Sequence, residues 1–490
     1  MTKSFNWKKF EIVGVLGLLV LGLFLRLFRL SDNLRFDGEM GENYLTMKTI
    51  FLTGQLPLLG PATSHPWLFF GPLFYWLFTP ILAVFRFNPV GIALVMAIIS
   101  ASTIGLNYFV AKKLFSVRVA IISSLLITVS PVLLEYARGA RFYSLLIPLF
   151  YPFFYLMVKS LTVPTKPTFF YLGLVLGVIL NFHLSAFILV FATGFIVVKN
   201  RQNIKFANYI FAIVGLGLAN LPFLIHNLTS QFEMAKNLAL WIPYRLLGFL
   251  GIYSKNTLTW EVFSQNLKAI YDFIASFFLY PGAILSSLVV VVFCMALIFF
   301  LRDLKRKKEY QLAKLVLVVI IGVGLLTVFI HGNAPMHYFL PIVPTLPLVV
   351  ALIIENYWGK PELREIAIFG VLLLVVLNLS YFFSQRWFYT NQNLANPKTF
   401  GVPYKLQTEI VKTIINDTKD AKFRLARVGL WDSFVGNYAQ NYVYLTWLYG
   451  NQTEPTARAI YTIFEPNENG LEQILGRKII WVNNVAIGLQ

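Results

Sequence analysis

Twelve apolar runs decide what this chain can fold into. They lie near residues 10–30, 67–85, 90–111, 119–134, 142–158, 168–181, 182–198, 206–225, 280–301, 315–330, 337–354 and 365–384. A helix rises about 1.5 Å per residue and needs about 20 mostly apolar residues to cross a hydrocarbon core about 30 Å thick. So many runs of this kind predict an all-α polytopic membrane protein. Of the 490 residues, 57% are hydrophobic and only 13% charged, against roughly 45–50% and about 25% in soluble domains. That balance excludes a disordered chain, a nucleic-acid module and a soluble enzyme of several domains. The first run is too long, and too poor in a small-residue cleavage site, to read as a removable signal peptide. The one cysteine, Cys294, lies in an apolar run, which excludes a disulfide framework and a cysteine zinc site.

Charge then orients the spans. The net charge is +19, and 19 of the 41 Lys and Arg fall in six clusters. These are Lys3, Lys8, Lys9; Lys112, Lys113, Arg118; Lys159, Lys166; Lys199, Arg201, Lys205; Arg302, Lys305, Arg306, Lys307, Lys308, Lys314; and Lys360, Arg364. By the positive-inside rule all six share the cytoplasmic face only if one early run does not cross. The run 67–85 holds Gly71, Pro72 and Pro80 and follows Ser64-His65-Pro66, so it reads as an interfacial or re-entrant helix. The expectation is about eleven transmembrane helices, with the N-terminus cytoplasmic and the C-terminus outside. The positive charge is then an orientation signal, and no nucleic acid is implied. Residues 1–384 form the transmembrane domain, with 31–89 as its first external loop. Residues 385–490 read as a small extracytoplasmic α/β domain: Leu406, Ile410, Val411 and Ile414 make a helical stripe, and Ala459–Phe464 and Lys478–Val482 look like strands. The stretch 226–279 is external too, with an amphipathic piece from Trp260 to Phe278. No repeat of fixed period is present.

Ionisable groups at membrane depth are costly, so those that persist there are functional candidates. The first external loop reads Phe36-Asp37-Gly38-Glu39-Met40-Gly41-Glu42-Asn43-Tyr44, with three carboxylates in six residues directly after a span. Gly38 and Gly41 let the backbone turn and approach a ligand closely. A partly desolvated carboxylate there can take a proton from an acceptor; Asp37 and Glu39 could instead hold a divalent cation (Mg or Mn), or the segment is a solvated acidic turn. A second external turn, Glu135-Tyr136-Ala137-Arg138-Gly139-Ala140-Arg141-Phe142-Tyr143, carries two arginines against the positive-inside trend. Their planar forks suit phosphate oxygens; the plain alternatives are snorkelling to headgroups or pairing with Glu135. His65, His183 and His337 sit at outer span ends, where imidazole can bond a phosphate or a sugar hydroxyl. Their spacing fits no metal motif. No glycine-rich phosphate loop and no nucleophile elbow occurs.

In order and in kind, these motifs resemble those of the GT-C glycosyltransferases, in the branch of protein O-mannosyltransferases and lipid A aminoarabinose transferases. Phe36 to Asn43, His65-Pro66-Trp67-Leu68, Ser130-Pro131 with Ala137-Arg138-Gly139-Ala140-Arg141, and His337-Tyr338-Phe339-Leu340-Pro341 carry the resemblance over residues 10–385. It implies a plasma (inner) membrane enzyme that moves a sugar from a polyprenyl-phosphate donor to a lipid, glycan or protein acceptor in the cell envelope. Glu39 takes the place of the family's aspartate and is the first choice of base, with Asp37 second. The resemblance implies that Arg138, Arg141 and His65 hold the donor phosphate, and that Glu42, Asn43, Tyr143, His183, His337 and Tyr338 line the substrate. It requires no nucleotide; a divalent cation stays open. The alternatives from other classes are a transporter or flippase for a lipid-linked or small solute and a membrane scaffold. A transporter predicts internal repeats and mid-membrane polar residues, whereas here the ionisable groups lie at span ends.

Overall fold

The computed structural model describes residues 7–65, 67–252, 257–306, 310–332, 334–396, 401–418, 421–429, 439–466 and 478–489. Pro66 of the His65-Pro66-Trp67 motif, and Lys3, Lys307 and Lys308 of the basic clusters, lie outside these residues. The helices in chain order are α1 (Trp7–Leu27), α2 (Gly38–Thr53), α3 (Leu73–Val84), α4 (Pro89–Leu114), α5 (Val117–Val129), α6 (Pro131–Arg138), α7 (Leu146–Thr162), α8 (Lys166–Leu180), α9 (Phe187–Lys199) and α10 (Phe206–Ala219). They continue with α11 (Leu221–Thr229), α12 (Glu233–Phe249), α13 (Trp260–Phe278), α14 (Ser286–Arg306), α15 (Gln311–His331), α16 (Thr345–Tyr357), α17 (Pro361–Phe382), α18 (Tyr404–Thr418) and α19 (Gln440–Leu448).

Helix α4, the segment Phe142–Thr162, α15 and α17 are long and apolar enough to cross a membrane. Two bent pairs, α5 with α6 and α10 with α11, raise that to as many as six among the described residues. Shorter apolar helices at Lys166–Leu180, Leu184–Lys199, Ser286–Arg302 and Thr345–Tyr357 fill further predicted runs. The run 67–85 yields another of these shorter helices, the twelve-residue α3, about 18 Å long at 1.5 Å per residue and, like the thirteen-residue α16, short of the hydrocarbon thickness. Two runs break where they looked continuous. The run 119–134 bends by 60° between α5 and α6, because Pro131 opens a new helix at its first turn, where its missing N–H costs nothing. The run 206–225 bends by 77° at Asn220, just before Pro222.

The C-terminal part is an α/β unit. Strands β1 (Phe423–Val428), β2 (Ala459–Phe464), β3 (Lys478–Val482) and β4 (Val485–Leu489) form one sheet in the order β1-β2-β4-β3. β1 and β2 are parallel, joined through α19, and the other pairs are antiparallel. The predicted stripe lies on α18, where Leu406, Ile410, Val411 and Ile414 are all buried. β1, β4 and α19 were not evident in the sequence pattern. One apolar core runs from the spans into this unit through Phe36, Tyr44, Tyr404 and Tyr444, so α19 lies directly on α2.

Candidate functional site

The acidic segment is a helix start. Asp37 is the N-cap of α2, in extended conformation, and its carboxylate accepts from the Met40 N–H at 3.1 Å. Short acceptor side chains do this because the first amides of a helix have no partner within it. Glu39 follows in the first turn, where the helix dipole favours negative charge. Gly38 and Gly41 are both helical, so neither makes the turn expected of it. A Cβ on Gly41 would lie 2.2 Å from the Asn441 backbone nitrogen; its close approach is to α19 rather than to a ligand.

The bend after α5 sends α6 back across the end of α1, and the two arginines part company. Arg138 is 3% exposed. Its fork donates to the carbonyls of Leu25, Arg26 and Phe28 at 3.0, 3.0 and 2.9 Å and of Arg29 at 3.1 Å. It caps the C-terminus of α1 and lies over the Phe388 ring. Arg141 instead turns to the carboxylates: it pairs with Asp37, reaches Glu39 Oε2 at 3.3 Å and donates to the Tyr143 hydroxyl at 2.7 Å. Glu39, Met40, Asn43, Tyr44, Phe74, Ala140, Arg141 and Phe142 enclose a recess of about 10 Å³, room for about one water or hydroxyl.

These surroundings tune Glu39. Desolvation raises its pKa from 4.5 to about 7, Arg141 opposes the rise, and Asp37 and Glu42 add to it. Its side chain nevertheless remains 43% accessible, so a substrate can reach it. Desolvation also raises Glu42, one turn on along α2. Burial would lower Arg141, but Asp37, Tyr143 and Glu39 hold it well above its usual range. Asn43, which lines the recess, donates to the Glu39 carbonyl at 2.9 Å and accepts from the buried Tyr75 hydroxyl at 2.7 Å, tying α2 to α3.

Next to Arg141 stands a ring cluster drawn from three distant segments, around Tyr143, His183 and 331–338. His337 stacks on Tyr143 with centroids 5.0 Å apart, His183 meets His337 and Tyr338 at 5.1 Å each, and His331 meets Tyr338 at 4.3 Å. His183 is also fixed by Ser185 at 2.8 Å. His65 lies in a neighbouring group, stacked on Trp67 and 3.1 Å from Arg245 Nη2. Since a guanidinium only donates, the facing His65 nitrogen accepts. The structure thus brings Asp37, Glu39, Arg141, Tyr143, His183, His337 and Tyr338 together. Arg245, His331 and Tyr75 were missed; α12 shows no motif around Arg245, and only its contact with His65 exposes it.

The carboxylates of this site are already engaged by a side-chain cation. Asp37 and Glu39 both face the Arg141 guanidinium, which takes the place between them that Mg or Mn would need. Among the described residues no group of three or more His, Cys, Asp or Glu could hold a metal ion. This arrangement fits a guanidinium rather than a metal ion, and no step below runs through a metal. A larger cavity, about 440 Å³, borders the other face of the 336–339 turn and is lined by Gln265, Lys268, Asp272, Met336 and Phe339 among others. It has the size of a ligand pocket, but neither Asp37, Glu39 nor Arg141 lines it.

Residues 64–226 match the model of a family described as dolichyl-phosphate-mannose-protein mannosyltransferase. No curated protein matches the chain. The fold is similar to that of ArnT from Cupriavidus metallidurans, solved in the apo state and bound to undecaprenyl phosphate. In both cases the TM-score is 0.59 at 11% identity, over 99% of this chain and 98% of that one. It is also similar to the Archaeoglobus fulgidus oligosaccharyltransferase in complex with Zn and sulfate, with a TM-score of 0.57 at 13% identity. That match covers 90% of this chain and 62% of the oligosaccharyltransferase.

Proposed function

We propose that this chain, a multi-pass membrane protein with the GT-C glycosyltransferase fold, is an inverting glycosyltransferase using a polyprenyl-phosphate sugar at the outer face of the plasma (inner) membrane. The observation that carries this reading is the geometry at Glu39: an accessible carboxylate 3.3 Å from Arg141, beside a recess of hydroxyl size, where desolvation raises its pKa to about 7. A base poised near neutral pH suits proton transfer from an acceptor hydroxyl or amine. The acceptor oxygen or nitrogen bonds to the anomeric carbon while the bond from that carbon to the phosphate oxygen breaks from the opposite face. Glu39 takes the acceptor proton, and the polyprenyl phosphate leaves as a monoester with one more negative charge.

That growing charge calls for donors already in place. Arg141 is one such donor; His65 with Arg245 forms a second basic group beside the ring cluster. In this reading Arg138 serves the donor only indirectly, by holding the end of α1. The undecaprenyl phosphate bound by ArnT supports the donor class, and the acceptor is a lipid, a glycan or a protein. Charged groups keep the head at the membrane surface while the isoprenoid stays in lipid.

Native mass spectrometry with added undecaprenyl phosphate tests the donor reading. The protein should retain one isoprenoid phosphate, and Arg245→Gln with His65→Ala should weaken retention at least tenfold. Equal retention by the variant would remove these residues from the site, and no retention by the unaltered protein would reject the donor class.

A further inference from the structure

We infer that Gln407 and Asn441, from the C-terminal α/β unit, are positioning residues that clamp the Phe36 carbonyl and thereby set the placement of Asp37 and Glu39. The inference rests on the reading of Glu39 as the base. Phe36 immediately precedes the N-cap of α2. Its carbonyl oxygen accepts from Gln407 Nε2 at 2.8 Å and from Asn441 Nδ2 at 3.3 Å. Asn441 Nδ2 also donates to Gln407 Oε1 at 2.8 Å, and Gln407 Nε2 to the Val402 carbonyl at 2.9 Å. The two amides therefore hold each other as well as the carbonyl.

Both side chains are buried, at 3% and 2% exposure. Buried amides need partners: Gln407 Nε2, Gln407 Oε1 and Asn441 Nδ2 have them, while Asn441 Oδ1 has none, and turning either amide over would set oxygen against oxygen or leave the Phe36 carbonyl with one donor fewer. A carbonyl oxygen has two lone pairs, and here both donors reach it from the C-terminal unit. Rotation of the Phe36–Asp37 peptide, which would swing the Asp37 carboxylate off the Met40 amide, is opposed from that side. The Phe36 ring is fixed as well, by Tyr44, Tyr404 and Tyr444 at 5.5, 6.0 and 5.7 Å. Gly41 lets the α2 and α19 backbones touch one turn further on. A surface that merely attached the unit to the spans would have no need to grip the one carbonyl next to the acidic pair.

The test is the protonation of Glu39 in the full-length protein in detergent. The groups around it are Asp37 and Glu42 on its own segment, Arg141 and Tyr143 from the turn after α6, and Tyr75 from α3. Dicyclohexylcarbodiimide reacts with protonated carboxyls in apolar surroundings, and mass spectrometry locates the product. Labelling of Glu39 should fall with a midpoint near pH 7. Gln407→Met with Asn441→Leu keeps the volume but removes the donors. The midpoint should then drop by at least one pH unit, and amides 37–41 should exchange with solvent at least tenfold faster, with α4 unchanged.

Tyr461→Phe loosens the same unit elsewhere, at its bond to Asp417, and should leave midpoint and exchange as they are. Gly41→Ala pushes α19 away from the α2 side and should reproduce the clamp phenotype if the double variant does not fold. An unchanged midpoint in the clamp variants, or an equal shift in Tyr461→Phe, would overturn the inference. Labelling needs no substrate, so that failure is separate from a failure of Glu39 as the base, which Glu39→Gln reports through sugar transfer.

Discussion

A carboxyl that ionises near pH 7 works as a base only above that pH. Desolvation lifts Glu39 there and Arg141 holds it from going higher, so transfer should rise with pH through an acid limb at about 7. Arg141→Gln removes the opposing cation; the limb should then move upward, and pH–rate profiles of the two proteins check it. A limb that stays put or moves down would separate Arg141 from Glu39. The same raised pKa links to stability. The folded protein holds this proton more tightly than the unfolded chain, so the stabilisation is fully present below about 4.5 and is lost as pH rises through about 7. Glu39→Gln should flatten the melting temperature across that window. Asp37, Glu39 and Arg141 were legible in the sequence because charge beside an apolar run is expensive. Arg138 looked like Arg141 by type and spacing, and only the bend at Pro131 separates them. Arg245 and His331 come from segments far apart in the chain, and no local pattern signals that they meet the site.

At the scale of elements, the end of α1 depends on α6. Arg138→Ala takes the donor from the Leu25, Arg26 and Phe28 carbonyls, while the Arg29 carbonyl keeps Asn33. A loss of about 2–4 kcal/mol is expected, given about 1–3 kcal/mol for each buried group left unpaired and some relaxation. Thermal unfolding in detergent should show a clear drop for Arg138→Ala, little recovery with Arg138→Lys, which lacks the planar fork, and a smaller drop for Arg141→Ala. Equal drops would put both arginines in one role. Helices α8 and α10 pack backbone to backbone: a Cβ on Gly173 would lie 1.9 Å from the Ala212 carbonyl, and one on Gly215 lies 2.1 Å from the Phe170 carbonyl. Small residues permit such contact in membranes, so Gly173→Leu should sharply lower the folded yield, read by size-exclusion chromatography. The long apolar helices were legible from hydropathy alone. The N-terminus of α2 was not, since its glycines suggest a turn until α19 is seen against Gly41. β1 and β4 escaped through composition rather than length: Arg424 and Arg427 interrupt the first, and Ala486 and Gly488, poor strand formers, the second.

For the whole molecule, the proposal requires the acidic helix start and the C-terminal unit to share the side away from the basic clusters. On a Cys294→Ser background, a cysteine at exposed Leu56 should react with an impermeant maleimide in intact cells, and one at Lys113 only after permeabilisation. The reverse pattern would invert the topology. The helical part was readable from hydropathy, and the α/β character of the tail from its apolar stripe and two strand patterns. What the tail touches was not, because Gln407 and Asn441 lie more than three hundred residues from Phe36. The most direct test of the central claim is sugar transfer in proteoliposomes from a radiolabelled undecaprenyl-phosphate sugar, comparing the unaltered protein with Glu39→Gln. Transfer should fall on the order of 10²–10⁴-fold with undecaprenyl phosphate still retained; transfer at the unaltered rate would contradict it.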